Sequence, residues 1–133
     1  MGSSFLSLIA IAIGATLGAW SRWGLSLWLN ARVDNLPLGT LAANLVGGYL
    51  IGVAVGVFQS LPELPPEWRL LVVTGFLGAL TTFSSFSAES LLLVQRGVYG
   101  WALLHTGLHL LGSLACCIAG LATWRWLAGI QGL

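Results

Sequence analysis

Charge is what this chain has least of. Of 133 residues only 7% are Asp, Glu, Lys or Arg, lysine is absent altogether, and 57% are hydrophobic, against roughly 25% charged residues in soluble domains. With a mean hydropathy of +0.92, a water-soluble globule is excluded and the chain reads as an integral membrane protein. Long connections are lacking too. The segments 30–37, 61–69 and 95–99 are too short to fold as domains, and Pro62, Pro65 and Pro66 stiffen the middle one. No basic side chain precedes the first apolar run, so no cleavable targeting segment is expected. No nucleophile with a base, no phosphate loop and no nucleotide motif stands out, so enzymatic activity is not expected, nor is a nucleic-acid partner. The two cysteines, Cys116 and Cys117, are vicinal; on a helix they point about 100° apart and do not readily bridge, and they read as small core residues.

What the chain does have is four apolar tracts, at about 5–29, 38–60, 70–94 and 100–127. Each exceeds the roughly 20 residues that cross a hydrocarbon core about 30 Å thick at 1.5 Å rise. The expectation is one all-α transmembrane domain, residues 1–133, with four helices per subunit.

All five basic residues are arginines, and they divide evenly. Four spans place Arg22, Arg32 and Arg96 on one side and Arg69, Arg125 and the terminal amine on the other, three positives against three. A fixed orientation normally shows a cytoplasmic excess of basic residues. An unbiased four-span chain is able to insert both ways and pair as an antiparallel dimer; alternatively, one or two charges decide the orientation weakly.

The glycines are patterned. Gly14 and Gly18 form one small-xxx-small pair, and Gly48, Gly52 and Gly56 form two more in succession. This spacing lets helix backbones approach closely in lipid, where the hydrophobic effect gives no drive. Arg22 continues the Gly14–Gly18 stripe near the end of the first span. It either snorkels to the interface or supplies positive potential that draws an anion to a vestibule.

Polar groups inside the spans are costly and usually line a pathway. The densest run is Gly-Phe-Leu-Gly-Ala-Leu-Thr-Thr-Phe-Ser-Ser-Phe-Ser-Ala-Glu at 75–89, with five hydroxyls and a carboxylate. Helical spacing puts Thr82, Ser85, Phe86 and Glu89 on one broad face, with Phe83 at its edge. Gly75, Gly78 and the Thr81–Thr82 pair sit upstream, where a local break would free backbone carbonyls that a cation, water or protein must satisfy; Gly and Thr are also ordinary in membrane helices. Asn44, one turn before Gly48, offers an amide NH2 either to an anion or to a neighbouring helix. In the fourth span His105, His109 and Ser113 share a stripe. A catalytic zinc site needs a third protein ligand and HExxH is absent, so the histidines read as hydrogen-bonding or pore-lining groups; a mid-helix serine such as Ser113 commonly bonds its own backbone.

Three segments in order, Gly-Ala-Thr-Leu-Gly-Ala-Trp-Ser-Arg-Trp at 14–23, Gly-Thr-Leu-Ala-Ala-Asn-Leu-Val-Gly-Gly at 39–48 and the stretch 75–89, together resemble the CrcB/Fluc family of fluoride channels. The resemblance implies an antiparallel dual-topology homodimer with two fluoride pores and a central structural sodium ion, in the cytoplasmic (inner) membrane. It implies that Asn44 donates to fluoride, that Phe83 and Phe86 form an aromatic box, and that Arg22 sits by a vestibule. It further implies that backbone carbonyls of Gly78 and Thr81 from both subunits hold the sodium at a mid-membrane break in the third helix. Thr82, Ser85, Glu89 and Ser113 would form or support a polar track beside the rings. The partners so implied are fluoride, sodium, the lipid bilayer and a second copy of the chain.

The rival class is a proton-coupled exporter of the small multidrug resistance type, which needs a titratable carboxylate deep in its first span. Residues 5–29 contain no Asp or Glu, and Glu89 is the only carboxylate inside a span. A non-transporting scaffold subunit is the third possibility. The even arginine split yields the first test: two or three arginines added at 30–37 should lock insertion one way and abolish transport, with recovery on co-expression of an oppositely biased copy. Full activity from a copy proven to insert in a single orientation would disprove dual topology.

Overall fold

The computed structural model describes residues 2–129. Helix α1 is Gly2–Leu29, closed by a tight 3-10 turn at Asn30–Arg32. Helix α2 is Leu38–Ser60. Helix α3 covers 66–80 in three consecutive pieces, Pro66–Arg69, Leu70–Leu77 and Gly78–Leu80. Helix α4 is Phe83–Gln95, and α5 is Tyr99–Leu127. Among the described residues, four helical stretches are long and apolar enough to cross a membrane: Ser4–Arg32, Leu38–Ser60, Pro66–Gln95 and Tyr99–Leu127. The protein is therefore a multi-pass membrane protein.

The ends of these helices follow local chemistry. Asn30 Oδ1 accepts the N–H of Gly39 at 2.7 Å, which satisfies one of the orphan donors in the first turn of α2. The third span starts at Pro66 rather than near residue 70, because a proline at the first helical position gives up no hydrogen bond and has its φ already set. Gly97, at φ 72°, makes the turn between α4 and α5 in a left-handed conformation that few other residues adopt. Within α3 and α5, Leu70–Leu77 and Leu108–Gly112 take the wider i→i+5 helical winding, a local form that recurs at functional sites.

Two tight helix pairs make the bundle. Against α1, the stripe Gly14–Gly18 meets α3 so closely that a side chain at Gly14 would strike the Leu71 carbonyl, and one at Gly18 the Phe76 carbonyl. Against α5, Gly48 faces the Ser113 backbone, Gly52 the Cys117 carbonyl and Gly56 the Trp124 ring, while Gly120 returns the contact to Tyr49. Ala43, Ala54, Leu77 and Leu80 form the buried centre where α2 meets α3, with Leu50 and Phe76 packed against it. Large apolar side chains such as Trp20, Leu103, Leu111 and Trp126 point outward, as they do when the surrounding solvent is hydrocarbon. Cys116 and Cys117 are free thiols.

The path from α3 to α4 is not a continuous helix. Thr81 (φ −83°, ψ 155°) and Thr82 (φ −152°, ψ 116°) are both extended, so α4 starts afresh at Phe83.

The close approaches define a test with an internal control. Gly52→Ala forces a methyl onto a backbone carbonyl and should lower stability by about 1–3 kcal/mol, whereas Gly107→Ala, with nothing near its added carbon, should be neutral or slightly stabilising. Thermal unfolding in detergent, read by size-exclusion profile, separates the two; equal midpoints would refute the packing role of the stripe.

Candidate functional site

The break between α3 and α4 is held open by one side chain from α2. Asn44 Oδ1 accepts the Thr82 N–H at 2.8 Å, and Asn44 Nδ2 donates to the Thr82 carbonyl at 3.1 Å. A primary amide thus supplies both partners that a neighbouring peptide group would supply, which is what an extended residue among helices needs. The hydroxyls next to it close the two helix ends. Thr81 Oγ1 donates back to the Leu77 carbonyl at 2.8 Å. Thr82 Oγ1 accepts the Ser85 N–H at 3.1 Å as the N-cap of α4, and its hydroxyl contacts Ser85 Oγ at 3.1 Å and Ser84 Oγ at 3.2 Å.

Along α4 the polar face continues beside aromatic rings. Phe83 and Phe86 meet edge to face at 5.2 Å, but in different surroundings: Phe86 is 6% exposed and Phe83 72% exposed in the single subunit. Phe86 lies against both imidazoles of α5, 5.5 Å from His105 and 4.8 Å from His109, and the two imidazoles are 4.4 Å apart. One turn further on, both oxygens of Glu89 face donors. The Thr40 hydroxyl donates to Oε1 at 2.6 Å and His105 Nε2 to Oε2 at 3.1 Å, while His105 Nδ1 is 3.0 Å from the Ser90 hydroxyl. His109 Nδ1 is 2.9 Å from Asn44 Nδ2. An unbroken chain of polar contacts therefore runs from Thr82 through Asn44 to His109, with the His105–Glu89 pair beyond it. A cleft of about 400 Å³ opens beside the break, lined by Asn44, Gly78, Thr81, Phe83, His109 and Ser113 among others.

The fold brings Asn44, Thr82, Ser85, Phe86, Glu89 and His109 into one cluster. Ser113 lines the adjoining cleft, and Arg22 sits on α1, partly exposed. Two expectations change in detail. Thr82 lies in the interruption, not on the helical face of Ser85 and Glu89, because its backbone is engaged by Asn44. The Asn44 NH2 is not a free donor in the subunit: both of its hydrogens are engaged, one by Thr82 and one by His109. The break also bears on Gly78 and Thr81. In a continuous helix their carbonyls would accept from Thr82 N–H and Ser85 N–H, and those two donors turn instead to Asn44 Oδ1 and Thr82 Oγ1.

The spacing along the chain offers the histidine pair no third ligand. The fold supplies Glu89, whose carboxylate lies with the ligand atoms of His105 and His109 within 4.8 Å of one another. Nothing in the local pattern singles out Thr40 or Ser90 either, since their partners Glu89 and His105 lie 49 and 15 positions away on other helices.

Residues 9–121 match the profile of the family described as CrcB-like protein, Camphor Resistance (CrcB). Among curated relatives, the "Fluoride-specific ion channel FluC" of Cupriavidus pinatubonensis (strain JMP 134 / LMG 1197) is 62% identical over 123 residues, covering 92% of this chain and 98% of that one. The proteins of the same printed name from Pseudomonas putida (strain W619) and Nitrosomonas europaea are 55% identical over 123 residues and 54% identical over 119. They cover 92% and 90% of this chain, and 97% and 94% of their own lengths.

The N-cap at the break is open to a direct test. Thr82→Ala removes the oxygen that receives the Ser85 N–H and should cost about 1 kcal/mol of stability, while Thr82→Ser should recover most of it. A thermal midpoint for Thr82→Ala equal to that of the parent would show that the cap contributes nothing.

Proposed function

The chain belongs to the CrcB-like family, and on that premise we propose that it is a fluoride-selective ion channel, carrying fluoride passively out of the cell across the cytoplasmic (inner) membrane and so lowering its toxicity. The observation that carries the reading is the file of compact donors beside the Phe86 ring, buried within helices whose outer faces are apolar. Fluoride is small and holds its water strongly, so a pore must offer close-fitting replacements. Hydroxyls and ring edges, which carry partial positive charge, do so without the deep trap that a full cation would make. HF crosses membranes as a neutral acid and ionises inside, so in acidic surroundings an open pore lets the anion leave down its gradient.

The finer assignments follow from the same reading. The channel is an antiparallel, dual-topology homodimer, supported by the even arginine split and by the Phe83 ring left bare at the rim of the cleft. In that dimer Phe83 and Phe86 form the aromatic box, Thr82, Ser85, Glu89 and Ser113 form or support the polar track, and Arg22 lies by the vestibule. Asn44 acts at the anion's path, through the contacts already described. The break lies at mid-membrane. Sodium at the dimer centre suits the carbonyls of Gly78 and Thr81, whose helical donors are engaged elsewhere; bound there by both subunits, it would supply fixed positive charge at the seam.

Fluoride efflux from liposomes, with chloride for comparison, is the decisive measurement; a chain that moves neither ion, or both alike, is not this channel. Changing Phe83 or Phe86 to isoleucine keeps apolar bulk and removes the ring quadrupole, so flux should fall far more than stability does. Parental flux in either variant would make that ring a packing residue only.

A further inference from the structure

His109 holds a buried ring nitrogen that no described residue satisfies. Its Nε2 is one of two buried side-chain polar atoms without a hydrogen-bond partner among the described residues, and the residue is 3% exposed. Which ring nitrogen carries the hydrogen follows from the Asn44 amide. The Thr82 N–H is able only to donate and the Thr82 carbonyl only to accept, so Oδ1 must face the first and Nδ2 the second. The remaining Asn44 N–H then points at His109 Nδ1, 2.9 Å away. A nitrogen that accepts from an amide N–H carries a lone pair, and an imidazole with a bare Nδ1 is neutral, with its hydrogen on Nε2.

We propose that His109 presents this Nε2–H to the transported anion as a neutral donor, and that Asn44 is the positioning residue that imposes the tautomer; the proposal rests on the fluoride-channel reading. An anion is the ligand such an atom fits. The same cluster, with Glu89 and His105, has the proximity of a metal site, but a metal needs lone pairs. The lone pair of His109 is on Nδ1 and engaged by Asn44, and His105 Nε2 is directed at the Glu89 carboxylate. As built, the cluster offers N–H groups where a cation would need bare nitrogen. A single N–H on a rigid ring, packed beside Phe86, gives a small anion one strong, directional bond and no full charge to hold it.

The role of Asn44 is thereby indirect: it reads the backbone of the break on one side and fixes the hydrogen of His109 on the other. Asn44→Asp replaces the donor facing Nδ1 with an acceptor, which should draw the hydrogen to Nδ1 and leave Nε2 bare.

The test uses full-length protein with 15N-labelled histidine rings, reconstituted in lipid, where NMR shows which nitrogen bears the hydrogen. We expect His109 protonated at Nε2 in the parent, an Nε2 signal that moves on adding sodium fluoride but not sodium chloride, and protonation at Nδ1 in Asn44→Asp. A parent protonated at Nδ1, or an Nε2 signal indifferent to fluoride, overturns the proposal; an unchanged tautomer in Asn44→Asp overturns the part given to Asn44. Transport gives an independent arm. His109→Gln sets an amide NH2 at the reach of Nε2, whereas His109→Asn sets its amide at the reach of Nδ1 and keeps only the contact with Asn44. Fluoride efflux from His109→Asn should be at least about tenfold below that from His109→Gln. Equal efflux from the two folded dimers would show that the donor is not what matters. Should the parent itself conduct no fluoride, the channel reading fails, and the ring-nitrogen result stands separately.

Discussion

One amide, Asn44, decides how the centre of this protein is built. Two consecutive extended residues inside a helical span expose peptide groups that hydrocarbon cannot satisfy, at a cost of several kcal/mol each. Asn44 removes that cost for Thr82 by engaging both its N–H and its carbonyl. The rest follows from this latch. With Thr82 N–H turned aside, α3 ends at Leu80; with Thr82 Oγ1 free to cap, α4 begins afresh at Phe83. From that start Phe86 packs on the imidazoles of α5, and Glu89 meets Thr40 and His105. The break is therefore a fixed element of the scaffold, set by one residue 38 positions away.

Such a latch works only if α2 is held at the right depth and rotation, and here the glycines matter. Helices in lipid gain nothing from burying leucine, so they are located by shape. Gly48, Gly52 and Gly120 bring the α2 and α5 backbones together, and Gly14 and Gly18 do the same for α1 and α3. Asn44 is one turn from Gly48, so the contact that fixes the helix pair also fixes the amide. A methyl group at the stripe would shift the latch as well as the packing.

The architecture was largely legible because its signals are local. Length and apolarity mark the four spans, and proline and glycine mark their ends, apart from the start of the third, where the proline pattern predicts a turn and Pro66 serves as the first helical residue. The small-xxx-small spacing identified the stripes that the backbones approach. The residue types of the site were legible as well, since hydroxyls, rings and a carboxylate at 75–89 are out of place in a span. Their partners were not. Periodicity placed Thr82 on a helical face because it assumes that the helix continues, and the interruption depends on a side chain from another helix. The joining of His105 to Glu89, of Thr40 to the same carboxylate and of Asn44 to His109 likewise depends on how α2, α4 and α5 meet, which no window along the chain contains.

The carboxylate is the group that an anion path has most reason to avoid, and its setting explains how it is tolerated. Glu89 has a hydroxyl on one oxygen and an imidazole N–H on the other, so its lone pairs are already directed at donors that α2 and α5 supply. His105, with no exposed surface, is kept in register by Ser90 on its far nitrogen. The carboxylate is in this way occupied by donors of its own, with ligand atoms of His105 and His109 within 4.8 Å of it and the Phe86 ring against both imidazoles. A buried polar cluster of this kind needs each side chain held in one orientation, and the contacts of Asn44, Thr82, Glu89 and His105 hold theirs, leaving His109 Nε2 without a partner among the described residues.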